Sequence, residues 1–332
     1  MSNSPSVIVS LSEWELAYFF PGPLLPRLRE LLPGALWFDP LQNNMDWTKT
    51  LQQFRPSIII SGWLTPPIPA HTPDLRFVCH VAGSVRRHVP RALLERGVVV
   101  GNWGDTVAEV VAEGALSMIL ASLRRLQYFG DLMHRQQGWQ WAPAGTKSLY
   151  DRKVGIHGFG TVVHRLLPLL KPFRCSVRIF TAGVPDSWYA EHGAERAGSL
   201  EQLFEWADVV VEAEALTATN RGIIGETLLR RMRPEGVFVN IARGALVDEP
   251  ALAKAAKEGG LRVALDVFQE EPLPPDSPLR DLPEVVLTPH VAGPTEDRAH
   301  LCGEWAIENL KRNLRGEPIR SPVTVAIYDR ST

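Results

Sequence analysis

Short runs of apolar, often β-branched residues recur along the chain and are separated by stretches long enough for a helix. The runs are Ser6–Val9, Ser57–Ile60, Arg76–Cys79, Val98–Val100, Lys153–His157, Val177–Phe180, Asp208–Val211, Val237–Ile241, Arg262–Val267 and Val285–Leu287. Apolar strands that alternate with helices predict parallel sheets covered on both faces, which is an α/β fold. The strands are too many for one ordinary doubly wound sheet, so the pattern predicts two sheets.

Composition and charge exclude several classes of protein. The chain of 332 residues is 45% hydrophobic and has a net charge of -2, which is typical of a globular protein of about two domains. Such a charge gives no field that would attract nucleic acid or an anionic membrane. No apolar run reaches the ~20 residues of a membrane helix, and the first residues lack the basic segment of a signal peptide. We therefore expect a soluble, cytoplasmic protein with reduced cysteines and no metal site.

A dinucleotide-binding turn is indicated where a strand, a glycine-rich turn and a helix follow one another. Gly158 permits the tight turn, and Gly160 lets backbone N–H groups approach a pyrophosphate at the helix N-terminus. Val163 stands where the third glycine of the G-x-G-x-x-G pattern is expected. Thr181 stands where a ribose-binding carboxylate normally ends the next strand. This incomplete pattern fits an ordinary strand–turn–helix as well as a dinucleotide site.

Three long motifs in the second half of the chain carry a family resemblance. Asn240–Asp248 (NIARGALVD), Ala264–Leu273 (ALDVFQEEPL) and Leu287–Gly293 (LTPHVAG) resemble the N-x-A-R-G-x-x-V-D, A-L-D-V-F-x-x-E-P-L and T-P-H-x-A-G motifs of the D-isomer-specific 2-hydroxyacid dehydrogenases. Upstream, Gly97–Asn102 and Val111–Glu113 match the G-x-x-V-x-N and V-A-E segments of that family. The motifs follow in the family's order, so the chain is identified as a member.

The resemblance implies an architecture of two doubly wound parallel-sheet domains. Residues 1–103 and 291–332 would form a flavodoxin-like substrate-binding domain, into which a Rossmann-type NAD-binding domain of residues 104–290 is inserted. Linking helices are expected near Val111–Leu126 and Thr295–Leu314, with the active site in the cleft between the domains. The resemblance also implies a homodimer joined through the cofactor domain.

Reduction of a 2-oxo acid needs a cation for the carboxylate, a proton donor and a group that keeps the donor protonated. The planar, always charged guanidinium of Arg243 suits the first task. His290 suits the second, because histidine ordinarily titrates near neutral pH, and Glu271 suits the third. The resemblance implies the same roles. Taken singly, these residues would more often be an ion-pair arginine, a solvated histidine and a loop carboxylate, but their joint spacing favours catalysis.

The resemblance also implies residues that bind the cofactor and the substrate. Asp266 would contact the carboxamide side of the nicotinamide. The full cofactor-binding set is Gly158, Phe159, Gly160, Thr161, Val162, Thr181, Ala213, Ile241, Ala242, Arg243, Asp266, His290 and Gly293. The substrate-binding set is Trp63, Ala82, Gly83, Ser84 and Arg243. Trp63 alone also fits simple core packing, which is the more frequent role of a tryptophan.

The cofactor is expected to be NAD(H), with NADP(H) less favoured. The segment Thr181–Asp186 contains no cation for a 2′-phosphate. Farther along, Ala213 and Ala215 replace the family's His and Pro. Either this is a tolerated loop change, or Glu212 or Glu214 supplies the carboxylate that Thr181 cannot.

Three functions are consistent with these residues. The first is an NAD-dependent dehydrogenase or reductase of a small 2-hydroxy or 2-oxo acid, whose identity the sequence leaves open. The second is a nicotinamide-sensing regulator that keeps the fold and has little catalytic activity. The third is a phosphonate- or formate-type dehydrogenase, whose substrate also presents an anion to Arg243. The presence of all three catalytic residues favours an enzyme over a regulator.

Overall fold

A computed structural model describes residues 5–42, 45–141 and 143–330. The chain divides into two compact units. The first combines the residues up to Val107 with those from Pro294 onward, and the second is Ala108–Gly293. Each contains one parallel sheet, which confirms the predicted α/β fold with two sheets.

The first unit is built on a five-stranded parallel sheet. Its strands are β1 (Val7–Ser10), β2 (Leu36–Phe38), β3 (Ile58–Ser61), β4 (Phe77–His80) and β5 (Val99–Gly101). The spatial order β2-β1-β3-β4-β5 is that of flavodoxin-like sheets. Every residue of β1, β3 and β4 is buried, because helices cover both faces of a parallel sheet.

The helices of the first unit come from both ends of the chain. They are α1 (Glu13–Phe19), α2 (Leu24–Leu31), α3 (Trp47–Phe54), α4 (Arg91–Glu95), α12 (His300–Leu314) and α13 (Val325–Arg330), numbered along the whole chain. Ser12 and Glu15 form a capping box that starts α1. Gly303 of α12 lies against the carbonyl of Phe19, where a Cβ would overlap the backbone. This close approach packs α12 against α1.

The second unit is built on a seven-stranded parallel sheet. Its strands are β6 (Lys153–His157), β7 (Ser176–Phe180), β8 (Glu195–Arg196), β9 (Val209–Glu212), β10 (Val237–Asn240), β11 (Arg262–Leu265) and β12 (Val286–Leu287). The order β12-β11-β10-β9-β6-β7-β8 places β6 beside β9. The chain reverses its winding there, and doubly wound sheets bind ligands beyond the carboxyl ends of strands at such a switch point.

Helices pack on both faces of this second sheet. The helices of this unit are α5 (Ala108–Leu123), α6 (Leu126–His134), α7 (Thr161–Leu170), α8 (Asp186–Glu191), α9 (Leu200–Trp206), α10 (Glu226–Leu229) and α11 (Glu249–Gly259), with 3-10 turns at Lys171–Phe173 and Gly244–Leu246. Alternate strand residues enter opposite cores, since successive side chains of a strand point to opposite faces. Val209 packs in the core that contains Ile119 of α5, and Val210 packs in the core that contains Phe204 of α9.

Two strands and the bounds of two helices differ from the sequence-based expectation. β2 and β8 were not predicted, because β2 has no β-branched residue and β8 is a two-residue, exposed edge strand. The helix expected at Val111–Leu126 spans Ala108–Leu123 instead, and the one expected at Thr295–Leu314 begins only at His300.

The early end of α5 has a visible cause. Its terminal carbonyl, on Leu123, accepts hydrogen bonds from the Lys147 N–H at 2.8 Å and from Arg262 Nη1 at 3.0 Å. Arg125 then adopts a left-handed conformation with φ of 54°, which a continuing helix would not allow. A side chain distant in sequence therefore ends this helix. Among the described residues, no helix is both long and apolar enough to cross a membrane.

Candidate active site

The predicted catalytic residues follow three neighbouring strands of the second unit. Arg243 lies three residues after β10, Glu271 lies in the loop after β11, and His290 follows β12. These strands are adjacent and parallel, so their carboxyl ends meet at one edge of the sheet. The fold thus gathers at one edge three residues that the sequence separates.

His290 and Glu271 form a hydrogen-bonded pair. The distance between His290 Nδ1 and Glu271 Oε2 is 2.8 Å, and Glu271 Oε1 accepts from the Phe268 N–H at 3.0 Å. Burial favours protonation of Glu271, but the hydrogen bonds from His290 and Phe268, with the charges of His290 and Arg243, lower its pKa overall. Glu271 is therefore an ionised carboxylate that faces one nitrogen of a half-exposed imidazole.

Arg243 is held by the turn that follows β10. Asn240 is buried; its Nδ2 donates to the Arg243 carbonyl and its Oδ1 accepts from the Ala242 N–H, both at 3.0 Å. Arg243 Nη1 donates to the Ala242 carbonyl at 2.6 Å. Burial lowers the pKa of Arg243, and the charge of Glu271 opposes that shift. The guanidinium and the carboxylate therefore act on each other electrostatically within this site.

Gly244 explains why a glycine follows the arginine in this motif. A Cβ at this position would overlap the carbonyl carbon of Phe268. The loop after β10 thus lies directly on the loop after β11, which carries Glu271. Sequence reasoning did not single out Asn240 or Gly244, although both stand in the matched motif.

Asp266 supports the loop that carries His290. The buried carboxylate accepts from Thr288 Oγ1 at 2.7 Å and from the N–H groups of Val291 and Ala292 at 2.9 Å each. His290 itself has a φ of 56°, so this loop depends on such anchoring. The expected contact of Asp266 with the nicotinamide stays a prediction.

The glycine-rich turn after β6 has the geometry of an anion cradle. Gly158 has a φ of 101°, and a Cβ there would lie 2.6 Å from the Ala213 carbonyl oxygen and the Glu214 nitrogen. Gly160 caps α7 without a side-chain hydrogen bond, and a Cβ there would meet nothing within 4 Å. The turn thus leaves open space at a helix N-terminus, where N–H groups and the helix dipole favour a phosphate. These features fit a dinucleotide pyrophosphate.

The other predicted cofactor-binding residues lie in the second unit. Phe159, Thr161 and Val162 belong to the glycine-rich turn and the start of α7, and Ala213 follows β9. A separate group follows β10 and β12 and consists of Ile241, Ala242 and Gly293. Val163, at the position of the missing third glycine, is fully buried in the core that also contains Ala112 and Ala115 of α5. The helix therefore accommodates the valine by packing it rather than exposing it.

Four polar residues meet at the carboxyl ends of β6, β7 and β9. Thr181 Oγ1 donates to Glu214 Oε2 at 3.0 Å, and Glu212 Oε2 lies 2.6 Å from Nδ1 of His157. Burial raises the pKa of Glu212, although His157 opposes the shift. Burial alone would lower the pKa of His157, but the charge and hydrogen bond of Glu212 and the charge of Glu214 raise it. Sequence reasoning named both glutamates as alternatives and missed His157, which faces Glu212 only through strand register.

Four of the five predicted substrate-binding residues lie in the first unit, and the fifth, Arg243, lies in the second. Ala82, Gly83 and Ser84 follow β4, and the carbonyl of Gly83 accepts from Asn102 Nδ2 at 2.8 Å. Trp63 follows β3 and contacts four aromatic rings, those of Trp14, Tyr18, Phe19 and Trp103. These contacts are those of a packed side chain, and the expected substrate contact of Trp63 stays a prediction.

The chain matches the family model described as D-isomer specific 2-hydroxyacid dehydrogenase, NAD binding domain, over residues 116–292. It is 34% identical over 263 residues to a glyoxylate reductase of Korarchaeum cryptofilum, covering 76% of this chain and 79% of that protein. It is 32% identical over 262 residues to the glyoxylate/hydroxypyruvate reductase B of Pectobacterium atrosepticum, covering 74% and 78%. A crystal structure of a Thermus thermophilus protein superposes with a TM-score of 0.80 at 26% identity, covering 96% of this chain and 100% of that one.

Proposed function

The chain belongs to the D-isomer-specific 2-hydroxyacid dehydrogenases, NAD(P)-dependent oxidoreductases, and we propose that Arg243, His290 and Glu271 are its catalytic residues. The motif resemblance is thereby confirmed. The observation that carries the proposal is the 2.8 Å contact between His290 and Glu271, together with the charge interaction between Glu271 and Arg243. Relatives named as reductases of glyoxylate or hydroxypyruvate make these small 2-oxo acids the first substrates to test.

Each residue has a distinct task in this proposal. The reduced nicotinamide, when bound, supplies a hydride to C2 of the 2-oxo acid. Arg243 binds the substrate carboxylate through two parallel N–H groups of its guanidinium and polarises the ketone. His290 Nδ1 faces Glu271, so Nε2 is the atom that donates a proton to the developing alkoxide. Glu271 fixes this tautomer and stabilises the imidazolium, and in the reverse direction His290 accepts the hydroxyl proton.

We assign dinucleotide binding to the unit Ala108–Gly293 and substrate contacts to Trp63, Ala82, Gly83 and Ser84 of the other unit. The family match over residues 116–292 and the open turn at Gly160 support the first assignment. The second follows from the motif resemblance alone. We also place the protein in the cytoplasm, in keeping with its free cysteines Cys79, Cys175 and Cys302.

A homodimer is part of this proposal. None of the residues of α6 is buried, and the nearby Trp139 and Trp141 are 66% and 80% exposed. Exposed apolar groups concentrated in one segment are typical of protein contacts. Sedimentation should give twice the 36.9 kDa chain mass, and Trp139→Ser with Trp141→Ser should shift the protein toward monomer. A wild-type protein that stays monomeric at micromolar concentration would contradict the dimer.

The experiment that tests the function is NADH oxidation with a panel of 2-oxo acids. The expected result is turnover of at least one of them, starting with glyoxylate and hydroxypyruvate. A protein that binds NADH tightly but turns over no 2-oxo acid would be better explained as a regulator. Oxidation of phosphite or formate in the reverse assay would mean that the substrate is one of these anions and not a 2-hydroxy acid.

A further inference from the structure

The carboxylate of Glu214 bridges the carboxyl ends of two strands that are not neighbours. Glu214 follows β9, whereas Thr181, which donates to Glu214 Oε2 at 3.0 Å, follows β7 on the far side of β6. The Glu214 backbone also borders the glycine-rich turn, because a Cβ at Gly158 would lie 2.6 Å from the Glu214 nitrogen. One half-buried carboxylate therefore lies beside the dinucleotide turn and at the end of β7.

Glu212 cannot take this position, although it is also a glutamate. It is fully buried, and Oε2 is engaged by His157 at 2.6 Å while Oε1 accepts from the Glu214 N–H at 2.9 Å. Its contribution is to fix the backbone from which the Glu214 side chain extends. The Ala215 N–H holds the second oxygen of Glu214 at 2.9 Å, so the carboxylate is oriented from both sides.

We propose that Glu214, positioned by Thr181, accepts hydrogen bonds from the vicinal hydroxyls of the adenosine ribose and thereby selects NAD(H) over NADP(H). The assignment rests on the proposed dinucleotide binding. In doubly wound dehydrogenases an acidic residue at the end of the second strand performs this recognition. Here that strand ends in Thr181, and the acid arrives from the loop after β9. The same negative charge repels a 2′-phosphate.

Two arginines of the adjacent strands are already paired with carboxylates. Arg178 of β7 binds Glu195 at 2.9 Å, and Arg196 of β8 binds Asp186 at 2.8 Å. The segment Thr181–Asp186 itself contains no lysine or arginine. A 2′-phosphate would therefore meet Glu214 and would have to break an existing ion pair to gain a cation.

The test is the ratio of the Kd for NADPH to the Kd for NADH, measured by titration calorimetry without substrate. Wild-type protein is expected to bind NADH at least about tenfold more tightly, the effect of one charge-assisted hydrogen bond. Glu214→Gln keeps the shape and loses the charge, so the ratio should fall about tenfold. The control is Glu258→Gln, an exposed carboxylate on α11 of the same unit, which should leave the ratio unchanged.

Each outcome decides the assignment. An unchanged ratio in Glu214→Gln, or a wild-type protein that prefers NADPH, overturns the role of Glu214 and leaves the proposed function intact. A wild-type protein that binds neither dinucleotide overturns both. If Glu214→Gln does not fold, Thr181→Val carries the test because it removes the hydroxyl that holds the carboxylate. The ratio should then fall as well, and an unchanged ratio would overturn the proposal.

Discussion

The two halves of the carboxyl edge of the seven-stranded sheet hold their polar residues in different ways. After β10, β11 and β12, the carboxylates of Glu271 and Asp266 accept hydrogen bonds from backbone N–H groups and hold the loop of the half-exposed His290. After β6, β7 and β9, the central contact is a buried pair of His157 and Glu212, with Glu214 attached to it through a backbone hydrogen bond. In the first half the hydrogen-bonded pair His290 and Glu271 is partly exposed, whereas in the second half the pair His157 and Glu212 is buried. In the proposed function, chemistry and dinucleotide recognition are divided along this edge.

Substitution of the proposed catalytic residues Arg243 and His290 should have the greatest effect on activity. Arg243→Ala and His290→Ala should each lower kcat/KM for a 2-oxo acid by at least about a hundredfold, because each deletes a group that stabilises the transition state. Arg221→Ala, at an exposed position of the same unit, is the control and should keep full activity. Steady-state kinetics measures the effect. Near-normal activity in either variant would remove that residue from the catalytic set.

The close contact between Gly244 and the Phe268 carbonyl, in the same half, can be tested by substitution. Gly244→Ala should destabilise the protein by about 1–3 kcal/mol or more, because the added methyl overlaps the Phe268 carbonyl. Gly259→Ala is the matched control, since a Cβ there meets nothing within 4 Å. It should be neutral or slightly stabilising in its helix. Urea unfolding compares the two, and equal stabilities would show that the loops are not packed as described.

Replacement of Glu271 should change the pH profile more than the maximum rate. The folded-state pKa of Glu271 is lowered, so its charge stays through neutral pH and disappears only as pH falls through that lowered value. In Glu271→Gln the imidazolium of His290 loses its counter-charge. The acid limb of kcat/KM for reduction, which in the wild-type protein follows the protonation of Glu271, should then disappear. A limb at the wild-type position would mean that Glu271 does not support the proton donor.

The smallest expected effect concerns the buried pair of the second half. The pKa of His157 is raised in the folded state, so its contribution to stability is present below about pH 6.5 and is lost as pH rises through the folded pKa. The raised pKa of Glu212 acts in the same direction. Glu212→Gln should therefore flatten or reverse the fall of the unfolding free energy above pH 6.5. An unchanged slope in urea unfolding at several pH values would contradict this coupling.

The same division explains what the sequence could predict. Arg243, Glu271 and His290 stand in contiguous motifs, and their strands are continuous apolar runs, so the motifs locate both the strands and the proposed catalytic residues. His157, Thr181, Glu212 and Glu214 meet only through the register of β6, β7 and β9. No spacing along the chain reveals that contact. The end of α5 at Leu123 escaped prediction for a similar reason, since Arg262 of a later strand accounts for it.

We propose that the residues after β10, β11 and β12 support hydride transfer and do not select the dinucleotide. The most direct measurement is the steady-state oxidation of NADH and of NADPH by wild-type protein and by His290→Ala with the same 2-oxo acid. The variant should lose at least about a hundredfold in rate with both dinucleotides, and its preference for NADH should stay the same. A variant that keeps the wild-type rate, or one whose loss is confined to one dinucleotide, would contradict it.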